Sequence, residues 1–156
     1  MIQIEIPGRR PLDLAHLVLD LNGTVALDGE PIAGVDERLA ALSGHLAIHL
    51  VTADTHGQAD RIGRELGCQL ARIGPGHEAE QKQALVKGLG ASQVAALGNG
   101  ANDAGMLSAA ALGIAVLGRE GLAVEALQAA DLVVGDIKDA LDLLRYRQRL
   151  VATLRR

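Results

Sequence analysis

Asp20-Leu21-Asn22-Gly23-Thr24 is the stretch that decides the fold. It follows the apolar run Leu17-Val18-Leu19, which reads as a buried strand ending in a glycine turn. Open α/β sheets bind ligands beyond the carboxyl ends of their strands, and Asp20 falls at such an end. A distant segment, Leu97-Gly98-Asn99-Gly100-Ala101-Asn102-Asp103, repeats the form: apolar strand, glycine turn, polar groups, helix start. Two loops of this kind can converge on one phosphate and one metal ion. A carboxylate that attacks phosphorus forms a covalent acyl phosphate.

Outward from these loops the chain alternates strand and helix with short joins. Leu46–Val51 predicts a second strand closing at Thr52, and Gln69–Ile73 a weaker one. Val94–Leu97, Ile114–Leu117 and Leu132–Val134 complete the parallel series, while Met1–Ile6 alternates as a strand at the start. Helices are predicted over Val35–Leu42, Gln58–Leu66, Glu78–Leu89, Asn102–Ala110, Leu122–Ala129 and Ile137–Leu144. The basic stretch Arg145–Arg156 reads as a further helix. Such alternation predicts α/β architecture around a mainly parallel sheet with right-handed crossovers. Leu27-Asp28-Gly29-Glu30 carries a tight-turn signal, so a small hairpin is expected after Thr24.

With 156 residues, one domain over residues 1–156 is the expectation. Hydrophobic residues make up 49% but aromatics only 1%, so the core is aliphatic, as parallel strands covered on both faces require. The net charge of −4 argues against nucleic-acid binding. A lone Cys68 can form neither an internal disulfide nor a cysteine metal cluster, which fits a cytoplasmic location. The longest apolar stretch, Ala109–Leu117, falls well short of the ~20 residues that span a bilayer. No membrane association is expected, and the N-terminus lacks a signal peptide's apolar block.

The chemistry follows from what a nucleophilic carboxylate needs. Asp20 must be held rigidly, with a cation sharing its charge. Gly23 lets the backbone turn so that amides face a phosphate, and Thr24 adds a hydroxyl. Thr52 can hold a further phosphate oxygen. Lys82 or Lys87 can neutralise phosphate charge and keep Asp20 ionised. Asn99, Asn102 and Asp103 offer the oxygens magnesium prefers. Taken singly, these features have blander readings. Asp-X-Asn-Gly is a common turn, and Asn-Asp before a helix is a common cap.

The order of the four segments resembles the haloacid dehalogenase superfamily, whose pattern is Asp-X-Asp-Gly-Thr, a strand-end Ser or Thr, a Lys and an acidic loop. Within it, the chain is similar to the phosphorylation domain of P-type ATPases and to a group of soluble P-type ATPase-like proteins. The likeness rests on Val51-Thr52-Ala53-Asp54, Lys82-Gln83-Ala84-Leu85-Val86, Gly98–Ala104, Ala111–Val116 and Ala129–Val134. It covers most of His16–Leu144. The resemblance implies a Rossmann-like three-layer sandwich without a cap domain. It implies a catalytic set of Asp20, Asn22, Thr52 and Lys82, with Asp20 as nucleophile. It implies phosphate binding by Gly23, Thr24, Thr52, Ala53, Lys82 and Asn102, and Mg2+ held by Asp20, Asn22, Asn99 and Asp103.

Two departures qualify it. Asn22 replaces the Asp that protonates the leaving group and activates water in the superfamily's phosphatases, and Asn does not titrate. Asn99 replaces a magnesium-binding Asp. The pumps' ATP-binding domain has no counterpart here, because only about thirty residues separate Asp20 from Thr52. The expectation is therefore a slow magnesium-dependent phosphohydrolase or phosphotransferase acting on a phosphorylated small molecule or a phosphoprotein. The alternative is a catalytically degenerate phosphate- or protein-binding relative; an unrelated nucleotide-binding protein would lack any Gly-Lys-Thr loop here. A homo-oligomer closing the cleft is a further expectation. Its candidate contact surfaces are Ile2, Ile4 and Ile6 as an edge strand that would otherwise be exposed, and Leu150, Val151 and Leu154 on the terminal basic helix; the alternative is that both pack on the chain's own sheet.

Overall fold

A computed structural model of the chain describes residues 1–54 and 57–156. Its centre is a six-stranded parallel sheet. In chain order the strands are β1 (Ile2–Ile4), β2 (Leu12–Leu14), β3 (His16–Asp20), β4 (Ala26–Leu27), β5 (Glu30–Pro31), β6 (Ala47–Thr52), β7 (Gln69–Arg72), β8 (Val94–Gly98), β9 (Leu112–Val116) and β10 (Leu132–Val134). The helices are α1 (Val35–Ser43), α2 (Gln58–Glu65), α3 (Glu78–Gly88), α4 (Ala104–Ala109), α5 (Val124–Ala129), α6 (Ile137–Arg145) and α7 (Arg147–Leu154). The main sheet has the order β10-β9-β8-β3-β6-β7.

That order fixes the site. The chain moves from β3 outward to β6 and β7, then returns to the other side of β3 for β8, β9 and β10. The reversal opens a crevice at the carboxyl ends of β3, β6 and β8. In register, Asp20 lies opposite Val51 of β6 and Leu19 lies opposite Leu97 of β8. Asp20, Thr52 and Asn99 are thus brought to one edge by strand pairing alone.

The period of two in β3 sorts its side chains between layers. Leu17 and Leu19 enter the aliphatic core formed with α1, α2, α6 and α7, and Val18 enters the core formed with α3, α4 and α5. Asp20 therefore points to the α3–α4 side, as Val18 does. Both faces of the sheet are covered, and the three-layer α/β sandwich is the observed architecture. Among the described residues, the segment between Asp20 and α1 holds only the β4–β5 hairpin, so no cap domain rises over the crevice.

Several boundaries differ from the sequence reading. β1 is shorter than Met1–Ile6, and β2 was not anticipated; the two pair antiparallel as a separate ribbon, Ile2 opposite Leu14. Pro11-Leu12-Asp13-Leu14 carries too short an alternation to stand out from a loop. The start of Asn102–Ala110 is a 3₁₀ turn, Ala101–Asp103, before α4. The terminal stretch contributes α7, separated from α6 at Tyr146.

The two surfaces expected to contact another subunit are occupied by the chain itself. Ile2, Ile4 and Ile6 are buried, as are Leu150 and Leu154, and all five belong to one core cluster with α1 and α6. Val151 packs against the same cluster. The alternation of isoleucines signals a ribbon laid over the core, not an open edge.

Candidate active site

Three segments build the site, each for a local reason. β3 ends at Asp20 because the next residues turn back: Thr24, Val25 and Ala26 amides all donate to the Leu21 carbonyl, at 3.4, 3.1 and 3.0 Å. Gly23 within this turn has φ +79°, a conformation that disfavours any residue with a Cβ. β6 ends at Thr52, whose hydroxyl accepts from the Asp54 amide at 3.0 Å. β8 ends at Gly98, where a Cβ would lie 2.5 Å from the Asp103 carboxyl carbon. Glycine at 98 is what allows Asp103 to fold back under the strand end.

The fold-back makes Asp103 the anchor of its loop. Its Oδ2 accepts from the amides of Asn99 at 3.0 Å and Gly100 at 2.9 Å. Its Oδ1 accepts from Lys82 Nζ at 2.7 Å. The side chain is fully buried. Both oxygens are thereby committed within the protein, and Asp103 presents neither to the cleft.

Lys82 joins the two loops. It lies on the inner face of α3, and its Nζ donates to Asp20 Oδ1 at 2.8 Å as well as to Asp103. Asn102 Oδ1 lies 3.4 Å from the same nitrogen, and Asn102 Nδ2 donates to Glu78 at 3.0 Å. Lys87, the other candidate, is exposed at the far end of α3. One buried ammonium thus faces two carboxylates. Burial, joined by repulsion from Asp103, raises the Asp20 carboxyl to about 6; Lys82 and Thr24 pull the other way and lose. Burial alone would lower the Lys82 ammonium, but Asp20 and Asp103 outweigh it and hold its pKa above the ordinary value. At neutral pH Asp20 is therefore mostly ionised and Lys82 fully charged.

Thr24 is buried, and its hydroxyl is turned to Asp20 Oδ2 at 3.3 Å and Asn99 Oδ1 at 3.1 Å. It ties β3 to β8 instead of facing open solvent. Asp20, Asn22, Thr52, Ala53, Lys82, Asn99 and Asn102 line one open pocket of about 340 Å³, together with Asp54, Glu78, Gly100 and Glu120. Asn22 sits exposed at its rim. A second, larger cavity of about 590 Å³ adjoins it across Gly23 and Thr24. It lies between the β4–β5 hairpin and the loops after β9 and β10, with Leu27, Ile32 and Leu117 beside Arg119 and Lys138. It contains neither Asp20 nor Lys82, which both line the smaller pocket.

Glu78 and Glu120 were not read as site residues from the sequence. Glu120 falls in Gly118-Arg119-Glu120-Gly121, a tight turn at the end of β9 closed by Gly121 N donating to Gly118 O at 3.0 Å. Two glycines bracketing a charged pair just after a buried strand are the signal that could have located it.

Asp20, Asn22 and Asn99, which line the pocket together, offer oxygens of the kind a hard divalent cation takes. Among the described residues, no three His, Cys, Asp or Glu side chains converge as a metal-binding group. The reason is visible: Lys82 occupies the space between Asp20 and Asp103, and position 99 is an amide.

Comparison with known proteins agrees with this geometry. The family of haloacid dehalogenase-like hydrolases matches residues 7–111. An uncharacterised protein of Methanocaldococcus jannaschii is 49% identical over 63 residues, spanning 40% of this chain and 68% of that protein. A second uncharacterised protein of the same organism is 49% identical over 39 residues, 25% of this chain and 89% of the other. Among solved structures, 3-deoxy-D-manno-octulosonate 8-phosphate phosphatase from Moraxella catarrhalis, in complex with magnesium, phosphate and KDO, superposes with a TM-score of 0.69 at 18% identity, covering 92% of this chain and 94% of that one. The cobalt-bound phosphatase of the same name from Haemophilus influenzae gives 0.71 at 15% identity, with 90% and 92% covered. At such identities the superpositions establish the fold.

Proposed function

The chain belongs to the haloacid dehalogenase-like hydrolase family, and on that premise we propose that it is a magnesium-dependent phosphohydrolase or phosphotransferase working through an aspartyl phosphate on Asp20. The observation that carries this reading is the buried Lys82 ammonium 2.8 Å from Asp20 Oδ1 at the closed end of a polar pocket. Lys82 keeps the nucleophile ionised and offers positive charge to the incoming phosphoryl group. The Thr52 hydroxyl, which already accepts from the Asp54 amide, is left to donate toward a phosphoryl oxygen. Asn102 and the Ala53 backbone flank the same space.

In the first step an Asp20 oxygen bonds to phosphorus as the bond from phosphorus to the substrate oxygen breaks. The departing oxygen takes its proton from water, because Asn22 has none to give. In the second step a water, or another acceptor hydroxyl, attacks phosphorus. Phosphate or a phosphorylated product leaves, and the Asp20 carboxylate is restored. Asp20, Asn22 and Asn99 would hold magnesium, which supplies charge neutralisation of the phosphoryl oxygens. Lack of an acid/base group at position 22 makes both steps slow, since such catalysis contributes ~10²–10⁴-fold.

The substrate class is a phosphorylated small molecule or a phosphoprotein. The adjoining cavity beside Gly23 gives the leaving group a partly apolar berth with Arg119 and Lys138 at its edge. The resemblance of the Gly98–Ala104 loop to that of P-type ATPase phosphorylation domains supports the aspartyl-phosphate route. One specific observation favours a second reading, a phosphate-binding relative without turnover: both Asn22 and Asn99 stand where a carboxylate is expected. Phosphate release from p-nitrophenyl phosphate, with magnesium and with EDTA, separates the two. Slow, magnesium-dependent release lost in Asp20→Asn supports the enzyme. Absence of release from a folded protein that still binds phosphate supports the second reading.

A further inference from the structure

We infer that Glu120 supplies to the cation site the carboxylate that Asn99 does not, so that the site takes a divalent cation through a carboxylate borrowed from the turn after β9. The inference rests on the proposed magnesium-dependent chemistry at Asp20 and assigns one more residue to it.

Three sets of contacts hold this turn against the site. The Asn99 carbonyl accepts from the Ala123 amide at 2.9 Å, and the Asn99 side-chain amide donates to the Gly121 carbonyl at 3.4 Å. Gly118 lies against the Gly23 carbonyl: a Cβ on it would stand 3.1 Å from that oxygen. The turn is itself closed between Gly118 and Gly121. Glu120 at its tip is therefore placed by the same two residues, Gly23 and Asn99, that frame the cation's position.

The carboxylate sits where Gly23 has no side chain. A Cβ built on Gly23 would lie 2.1 Å from Glu120 Oε2 and 3.0 Å from Asn99 Nδ2. Gly23 is required by its φ of +79°, and the Glu120 carboxylate rests in the space that its missing Cβ leaves open. Glu120 shares the pocket wall with Asp20, Asn22 and Asn99. It is exposed at the mouth, so its carboxylate is free to swing on a four-atom side chain toward the oxygens of Asp20.

The charge balance gives the turn a purpose. Asp20, Lys82 and Asp103 together carry one net negative charge, and Asp103 is screened behind Lys82. With an amide at 99, Asp20 is the one carboxylate of the two motif loops left to a dication, Asp103 being committed to Lys82 and two amides. Glu120 adds a second, within the one or two carboxylates by which magnesium is held beside phosphate.

Mn2+ binding to the full-length chain, followed by the electron paramagnetic resonance of the free aquo ion, tests this without any turnover. Glu120→Gln is expected to raise the Mn2+ dissociation constant about 10–100-fold, the range seen when a group supporting a metal site is lost. Asn99→Asp in the Glu120→Gln background is expected to restore it. Glu78→Gln, which removes a carboxylate from the same pocket, is expected to have little effect. Unchanged affinity in Glu120→Gln, with binding lost in Asp20→Asn, overturns the role of Glu120 and leaves the Asp20 site standing. An equal loss in Glu78→Gln also overturns it, by reducing Glu120 to general pocket charge. Undiminished binding in Asp20→Asn overturns the cation site altogether.

Discussion

Lys82 Nζ lies 2.8 Å from Asp20 Oδ1 and has one other carboxylate partner, Asp103, at 2.7 Å. A single ammonium is thereby divided between the residue proposed to react and the residue that anchors the neighbouring loop. The triad carries a net negative charge in a dry setting, with Lys82 only 3% exposed. A buried charge without a full partner is costly, and the divalent cation proposed for the site would relieve it.

Asp20→Asn should therefore stabilise the protein in metal-free buffer. Folding raises the Asp20 carboxyl from 3.8 to about 6, so the folded state binds its proton more tightly than the unfolded chain. That contribution to stability is fully present below pH ~4 and is lost as pH rises through about 6. At 1.36 kcal/mol per pKa unit the loss is up to ~3 kcal/mol, and Asn is spared it, less the weaker bond to Lys82. Urea denaturation at pH 4 and pH 7.5 should show the variant gaining ~1–3 kcal/mol on the wild type between the two. An equal difference at both pH values would contradict the charge imbalance.

Asp103→Ala should be strongly destabilising. It leaves the Asn99 and Gly100 amides without their acceptor and removes one of the two carboxylates on a buried Lys82. Each amide left without its acceptor costs ~1–3 kcal/mol, while Lys82 keeps Asp20 as its partner. Thermal unfolding checks it, and a loss near zero would mean that Asp103 acts at the cation and not on the loop.

Asn22→Asp should accelerate p-nitrophenyl phosphate hydrolysis, by at most ~10²–10⁴-fold. Position 22 lies exposed at the pocket rim, so an added carboxyl group keeps its access to water and displaces no packed group. The gain should appear in kcat with a bell-shaped pH profile. No gain in a folded variant would place the slow step elsewhere than proton transfer.

Much of the architecture was legible because parallel strands buried on both faces are continuous apolar runs. Leu17–Leu19, Leu46–Val51 and Val94–Leu97 needed no period to be recognised. The α3 helix was equally plain; residue chemistry alone left Lys82 and Lys87 open, and the family resemblance pointed to Lys82. Only the packing of α3 shows that Val86 and Lys82 share the inner face. The opposite error came with Ile2, Ile4 and Ile6, where alternation marked a one-sided strand but not what lay on its apolar side. Asp103 was read as a metal ligand because its type fits. Its partners in the structure, two amides and Lys82, depend on Gly98 admitting the side chain beneath the strand, a steric fact no spacing reports. Glu120 carried only the signal of two glycines bracketing a charged pair; its place at the site follows from β9 lying beside β8.

The identity of the nucleophile is tested most directly by beryllium fluoride in the presence of magnesium, observed by fluorine NMR. This reagent forms an acyl-phosphate mimic on a reactive carboxylate. The account predicts bound fluoride resonances for the wild type that vanish in Asp20→Asn and in EDTA. Bound resonances of equal intensity in Asp20→Asn would contradict it.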